Sequence, residues 1–319
     1  MTAAPVPSEE LLFREGRPRD LQATHRVQQL AFHEVAGQLA SDPAGPPPSA
    51  EAIDQDWQRS RPLLEFLAAQ EGCYWICEDE GELVGYGRSI RFDGMEQLTE
   101  LFVLPAHHGR GIGRGLLLRC WPEPPTPELG RVVVAAGSNV DMTLYTAFGA
   151  MPVTGHWHLR QPTERYLAQR AHETDTADPG VHVLAVERAV AEWKRLEPPA
   201  IGHDRPALHE HFGRERACLA TLEGEEVTAV CWVSTDGGIG PAVGRSAQDL
   251  VPVLLAALDR VAKTKEPEHL DAFVTTESWW LLRRLRELGF RLYWPSWVMS
   301  SVPLPGLDRY VPTSPAWVL

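Results

Sequence analysis

The run from Glu100 to Arg119, ELFVLPAHHGRGIGRGLLLR, constrains this chain more than any other stretch. Its apolar opening reads as a strand stopped by Pro105. Gly109, Gly111, Gly113 and Gly115 then lead into the start of a helix carried by Leu116, Leu117 and Leu118. Glycines lack the Cβ that keeps a backbone away from an anion. The unpaired N–H groups of a helix start, at the positive end of its dipole, supply donors for one. Arg110 and Arg114 are placed to add charge-assisted hydrogen bonds. The unit therefore predicts a phosphate site.

Three phosphate-binding designs compete for it. A P-loop needs Gly-Lys followed by Ser or Thr, and the sequence has no such tripeptide. A dinucleotide site needs glycines at relative positions one, three and six, but counting from Gly109 or Gly111 the last place holds Arg114 or Leu116. What remains resembles motif A of the GNAT-type N-acetyltransferase superfamily. Val103, Pro105, His108, Gly111 and Gly113 carry the resemblance, with His108 standing where the family prefers Gln or Arg. A second stretch, SNVDMTLYTAFGA, resembles a downstream helix of the same family through Asn139, Leu144, Tyr145 and Gly149. There Met142 replaces the usual Ala and Ala150 the usual Phe.

The resemblance implies an acyltransferase that uses acetyl-CoA as cosubstrate and needs no metal. Main-chain groups of Leu101, Phe102 and Val103 would pair with the pantetheine arm as a neighbouring strand does. The pyrophosphate would lie on His108, Gly109, Arg110, Gly111, Ile112, Gly113 and Arg114. Asn139 would contact the cofactor, and Tyr145 would give a proton to the departing thiolate. An attacking amine must also lose a proton. The family often has Glu for that purpose four residues before the pantetheine triplet, where this chain has Gln97, and an amide cannot accept it. Glu100 is the candidate that remains. Its alternative reading is a solvated or ion-paired strand carboxylate. Tyr145 likewise has an alternative as a core aromatic.

At 319 residues the chain is long enough for two domains. In the first half, Leu11 to Arg14 reads as a strand. Asp20 stands as the cap of a helix bearing Leu21, Val27, Leu30 and Ala31, and a second helix is expected from Ile53 to Ala69. CYWICEDE and LVGYGRSIRF alternate as a hairpin about Glu80-Gly81-Glu82. Arg131 to Ala136 is a strand, Asn139 to Phe148 a helix closed by Gly149, and VTGHWHLR a last strand.

A similar order follows residue 180: a helix from Val181 to Leu196, a hairpin of ACLATLEG and VTAVCWVS, a helix from Ala247 to Val261, the strand LDAFVTT, and a helix from Trp279 to Leu288. The pattern predicts an α+β protein of two GNAT-like domains, 1–172 and 173–319, each a mixed, mostly antiparallel sheet flanked by helices, with a hinge at Glu173 to Gly180. In the second copy IGPAVGRSAQDL has no G-x-G at a helix start, and Leu285 stands where Tyr145 does. That copy is expected to be degenerate. The tail GLDRYVPTSPAWVL is expected to pack against a sheet edge.

A formal charge of -13 disfavours nucleic acid as a partner. The five cysteines have neither disulfide-framework nor zinc spacing, and no apolar run is long enough to span a bilayer. A cytoplasmic protein is expected, acting on a small-molecule amine and compatible with a homodimer. A peptide N-terminus or lysine as acceptor, and a CoA-binding module without turnover, are the alternative readings.

Overall fold

A computed structural model describes residues 11–40, 45–136, 138–173, 180–313 and 319. The interior of the expected hinge, 174–179, lies outside the described residues. These fall into two compact units, the first drawn from 1–38, 43–91 and 98–124, the second from 39–42, 92–97 and 125–319. Among the described residues no helix is long and apolar enough to cross a membrane, and the five cysteines are free thiols.

The first unit runs β1 (Leu12–Glu15), α1 (Leu21–Leu39), α2 (Ala50–Ala68), β2 (Gly72–Asp79), β3 (Glu82–Phe92), β4 (Met95–Val103) and α3 (Ile112–Cys120), with its strands in the order β1-β2-β3-β4. The β2–β3 turn needs positive φ, and Glu80 at 53° and Gly81 at 84° supply it. One sheet face meets α3 through Cys77, Val84, Ile112 and Leu116, with Leu101 and Val103 beside them. The other meets α1 through Ile76, Tyr86 and Val27, with Phe102 and Leu104 alongside. Ser49 caps α2, its hydroxyl accepting from Ala52 N–H at 3.2 Å. Asp20 does not cap α1 in the expected way. Its carboxylate turns back to accept from Arg17 N–H at 2.8 Å and from the Arg14 guanidinium.

The second unit continues with β5 (Gly130–Ala135), α4 (Asn139–Ala147), β6 (Met151–Pro162), α5 (Thr163–Ala171), β7 (His182–Leu184), α6 (Val186–Leu196), α7 (Pro198–Ile201) and α8 (Pro206–Phe212). It closes with β8 (Arg216–Glu223), β9 (Glu226–Ser234), β10 (Ile239–Gly244), α9 (Ala247–Thr264), β11 (His269–Thr275), α10 (Trp279–Glu287), β12 (Arg291–Ser300) and β13 (Tyr310–Val311). The helix expected over Val181 to Leu196 begins only at Val186. Residues His182–Leu184 form β7, antiparallel to β8.

Two features of this unit stand out, the first of them not anticipated. The strand order β5-β12-β6-β11 reads the same when the two repeats are interchanged. The last strand of the second repeat, β12, pairs antiparallel with β5 (Val298↔Val134) and with β6 (Trp297↔Gly155), while β6 pairs with β11 (Leu159↔Ala272). Each repeat thus completes the other's sheet, and the compact units do not follow a repeat boundary at 172/173. Second, β13 adds to the edge of the sheet β13-β10-β9-β8-β7, which fulfils the sheet-edge expectation for the tail. The core beneath joins Leu159 and Tyr166 from the first repeat to Leu254, Leu258, Leu285 and Phe290 from the second.

Because β6 and β12 each lack a partner strand within their own repeat, segments 1–172 and 173–319 produced separately should give no cooperative thermal transition. Mixed during refolding, they should recover one. Cooperative melting of either segment alone, followed by circular dichroism, would show that the exchange is dispensable.

Candidate active site

The glycine turn is built as its sequence implies. Gly109 and Gly111 have φ of 77° and 78°, in the left-handed region open to glycine at little cost. A Cβ at either would meet nothing within 4 Å, so the backbone surface there is open. Gly111 is the N-cap of α3, and the first bond of the helical ladder runs from Gly115 N–H to Gly111 O at 2.9 Å. The N–H groups of Ile112, Gly113 and Arg114 therefore precede the ladder at the helix's positive end. Gly115 has a different function, since a Cβ there would lie 2.7 Å from the Phe13 ring. It is the packing glycine that lets α3 approach β1.

Side chains around the turn hold its shape. The Arg110 guanidinium is a forked partner of Asp79 at the end of β2, with Nη2 to Oδ1 at 3.2 Å, and His107 Nε2 stands 3.3 Å from the same carboxylate. Arg110 first, with His107 alongside, holds the Asp79 carboxyl below the ordinary range. Its side chain is thus engaged within the protein. His108 donates from Nε2 to Val103 O at 3.0 Å. That bond ties the turn to the end of β4 and gives the His in place of Gln or Arg a structural task. Arg114 is exposed on the first turn of α3.

Glu100 is a buried carboxylate with two partners. It is 3% exposed, with Oε2 3.1 Å from Arg88 Nε, and its Oε1 accepts from the Tyr86 hydroxyl at 2.8 Å. Arg88 in turn donates to Leu64 O of α2 at 3.2 Å and lies over the Tyr74 ring. The ion-pair reading of this carboxylate describes its surroundings. Leu101 and Val103 face α3 while Phe102 faces α1, as strand alternation requires.

In the second unit Ser138 caps α4, its hydroxyl accepting from Asp141 N–H at 3.1 Å. Asn139 is exposed on the first turn. Tyr145 is 6% exposed. Burial, with the charge of Asp141 nearby, pushes its phenol well above the usual value. At neutral pH it therefore carries its proton and is a donor.

The second repeat departs from this layout at each corresponding place. Leu285 is fully buried in the core. Arg245 and Ser246 alone separate β10 from α9, leaving no glycine turn. The edge of β10 is already paired with β13, Ala242↔Val311 and Val243↔Tyr310. A Cβ on Gly240 would lie 2.3 Å from Pro312 O. Thr275 and Ser278 donate to Leu307 O at 2.6 and 3.0 Å, fastening the segment that precedes β13.

A fully buried cluster continues from there: Glu197 pairs with Arg205 and His209. Burial alone would raise the Glu197 carboxyl, but Arg205 and His209 bring it down to about 2. Arg205 and the Tyr310 hydroxyl donate to Leu319 O at 2.7 and 2.8 Å, and Leu319 N–H donates to Gln97 Oε1 at 3.2 Å. Sequence reasoning found none of this, because partners so distant in the chain leave no spacing signal.

Known proteins match one stretch of the sequence and the fold. Residues 70–149 match the family described as "Acetyltransferase (GNAT) domain". No curated protein matches the chain. Among solved structures, a putative acetyltransferase from Pyrococcus horikoshii is 17% identical over 97% of this chain and 96% of its own, with a TM-score of 0.68. A tandem GNAT protein from the clavulanic acid biosynthesis pathway is 16% identical over 92% and 99%, at 0.61. A GCN5-related N-acetyltransferase from Sphaerobacter thermophilus is 18% identical over 92% and 96%, at 0.57. Residues 70–149 thus match the GNAT domain family, and the chain as a whole has a fold of the tandem GNAT kind.

If Glu100 is chiefly the partner of Arg88, Glu100→Ala should cost about 3–5 kcal/mol of stability by leaving a buried cation unpaired. Chemical denaturation measures this. Full stability combined with lost turnover would instead make it catalytic.

Proposed function

We propose that the chain moves an acetyl group from acetyl-CoA to a primary amine on a small molecule, using one cofactor site per chain. The match of residues 70–149 to the GNAT domain family supports acyl transfer from an acyl-CoA to an amine. The acetyl donor, the small acceptor and the residue roles are our reading. The observation that carries it is the open glycine turn, whose left-handed Gly109 and Gly111 present backbone without side-chain obstruction before the first turn of α3. Those residues suit a pyrophosphate, with Ile112 and Gly113 as further backbone donors.

On this reading the amine's lone pair attacks the thioester carbonyl carbon. The carbonyl π pair moves to oxygen, and its return expels the thiolate. Tyr145 donates its hydroxyl proton to the leaving sulfur, a role suited to a buried phenol that stays protonated. The amine's own proton leaves to solvent water, since Glu100 is committed to Arg88 and Tyr86. Leu101, Phe102 and Val103 are assigned to the pantetheine and Asn139 to the cofactor from the motifs they occupy. The β10 edge, filled by β13, supports a second copy that takes no cofactor.

Calorimetry with CoA should give one equivalent per chain, and Gly111→Asp should weaken binding about 100-fold or more by adding a charged side chain at a left-handed position. Two equivalents, or unchanged affinity, would refute the single-site assignment. In a thiol-release assay across small amines, peptide N-termini and lysine peptides, Tyr145→Phe should lower kcat about 100-fold, within the range of general acid catalysis. CoA affinity should persist. Binding without turnover on any acceptor would leave a cofactor-binding module in place of an enzyme.

A further inference from the structure

A surface groove of about 630 Å³ opens between α10 and β6, away from the glycine turn in the chain and unused by the proposed reaction. Its aromatic walls are Trp157, from the first repeat's exchanged strand, and Trp279, from the first turn of the second repeat's helix. Leu282 and Thr276 also line it. Such a volume with apolar walls and few polar groups is typical of small-ligand sites. Trp279 is 66% exposed and the adjacent Trp280 49%, an aromatic area that a soluble surface seldom leaves bare without use. Gly155 shapes the neighbouring strand, since a Cβ there would stand 2.7 Å from the Thr276 methyl and 3.3 Å from Trp157 Nε1.

The charges that line it select the occupant. Arg283, Arg286 and Glu287 line it. Arg283 Nε is paired with Glu287 Oε1 at 3.1 Å, so those two offset each other. Arg286 donates from Nη1 to Phe290 O, a neutral acceptor. The groove therefore has a net charge of one guanidinium on a chain whose formal charge is -13. A single negative group would complete it, and indole walls suit a flat unsaturated body.

We infer that this groove binds a small aromatic monoanion, a carboxylate or sulfonate on a planar ring system, with its acidic group on Arg286 and its ring between Trp157 and Trp279. Because one wall belongs to each repeat, the ligand bridges β6 and α10. The site is separate from the acyl-transfer reading and survives or fails without it.

Naphthoate is the probe, titrated into the full chain by calorimetry with tryptophan quenching alongside. The expected result is saturable binding at one equivalent, weakened about tenfold by Trp279→Ala and by Arg286→Met, with naphthylmethylammonium failing to bind. Trp279 is mostly exposed, so its variant should melt like the parent and remain interpretable; Arg286→Met gives an independent reading of the charge. Absence of saturation, equal binding by parent and both variants, or equal binding of the ammonium compound would overturn the inference. Sedimentation of the parent as a dimer that Trp279→Ala dissolves would also overturn it, assigning the groove to a second copy. So would tighter binding of an acidic peptide than of naphthoate.

Discussion

The pairing of β12 between β5 and β6 is the constraint on which the second unit depends. A strand left at an open edge carries a row of unsatisfied N–H and C=O groups, and covering that row is worth more than any one side-chain contact. Here the row is covered reciprocally, Val298 opposite Val134 and Leu159 opposite Ala272, so neither repeat owns a complete sheet. The shared core follows from it: β6 carries Leu159 and leads into the helix of Tyr166, and its place between β11 and β12 brings both into one cluster with Leu285 and Phe290.

Much of the fold was legible where local periodicity is strong. The hairpin about Glu80-Gly81, the helices at Ile53 and Ala247, and the glycine turn all declare themselves through turn chemistry or spacing. β7 was missed because His182–Leu184 is short and adjoins the amphipathic pattern of α6, so three residues of strand look like the first turn of helix. β12 was missed because Pro295 interrupts it, and a proline inside a central strand usually argues against one. The structure accommodates it opposite Trp157, close to a register shift between Leu292 and Trp294. The exchange itself had no trace, since sequence order says which strands exist and nothing about which ones meet.

The site divides the same way. Gly109 and Gly111 were readable because backbone conformation restricts residue type directly. The tasks of Asp79, Arg88 and Leu319 were not, because each depends on a partner brought near only by folding: Arg110, Glu100 and Gln97 in turn. His108 shows the middle case. Its motif place was evident, while its bond to Val103 O was not.

A consequence follows from the way β13 lies along β10. With that main-chain edge satisfied from within, β10 is paired on both sides, by β9 and by β13, and what the core behind it demands is volume. Substitutions there are then filtered by fit alone, as a buried Leu285 in place of a phenol illustrates. Two repeats of one pattern can answer to different constraints while remaining mechanically inseparable.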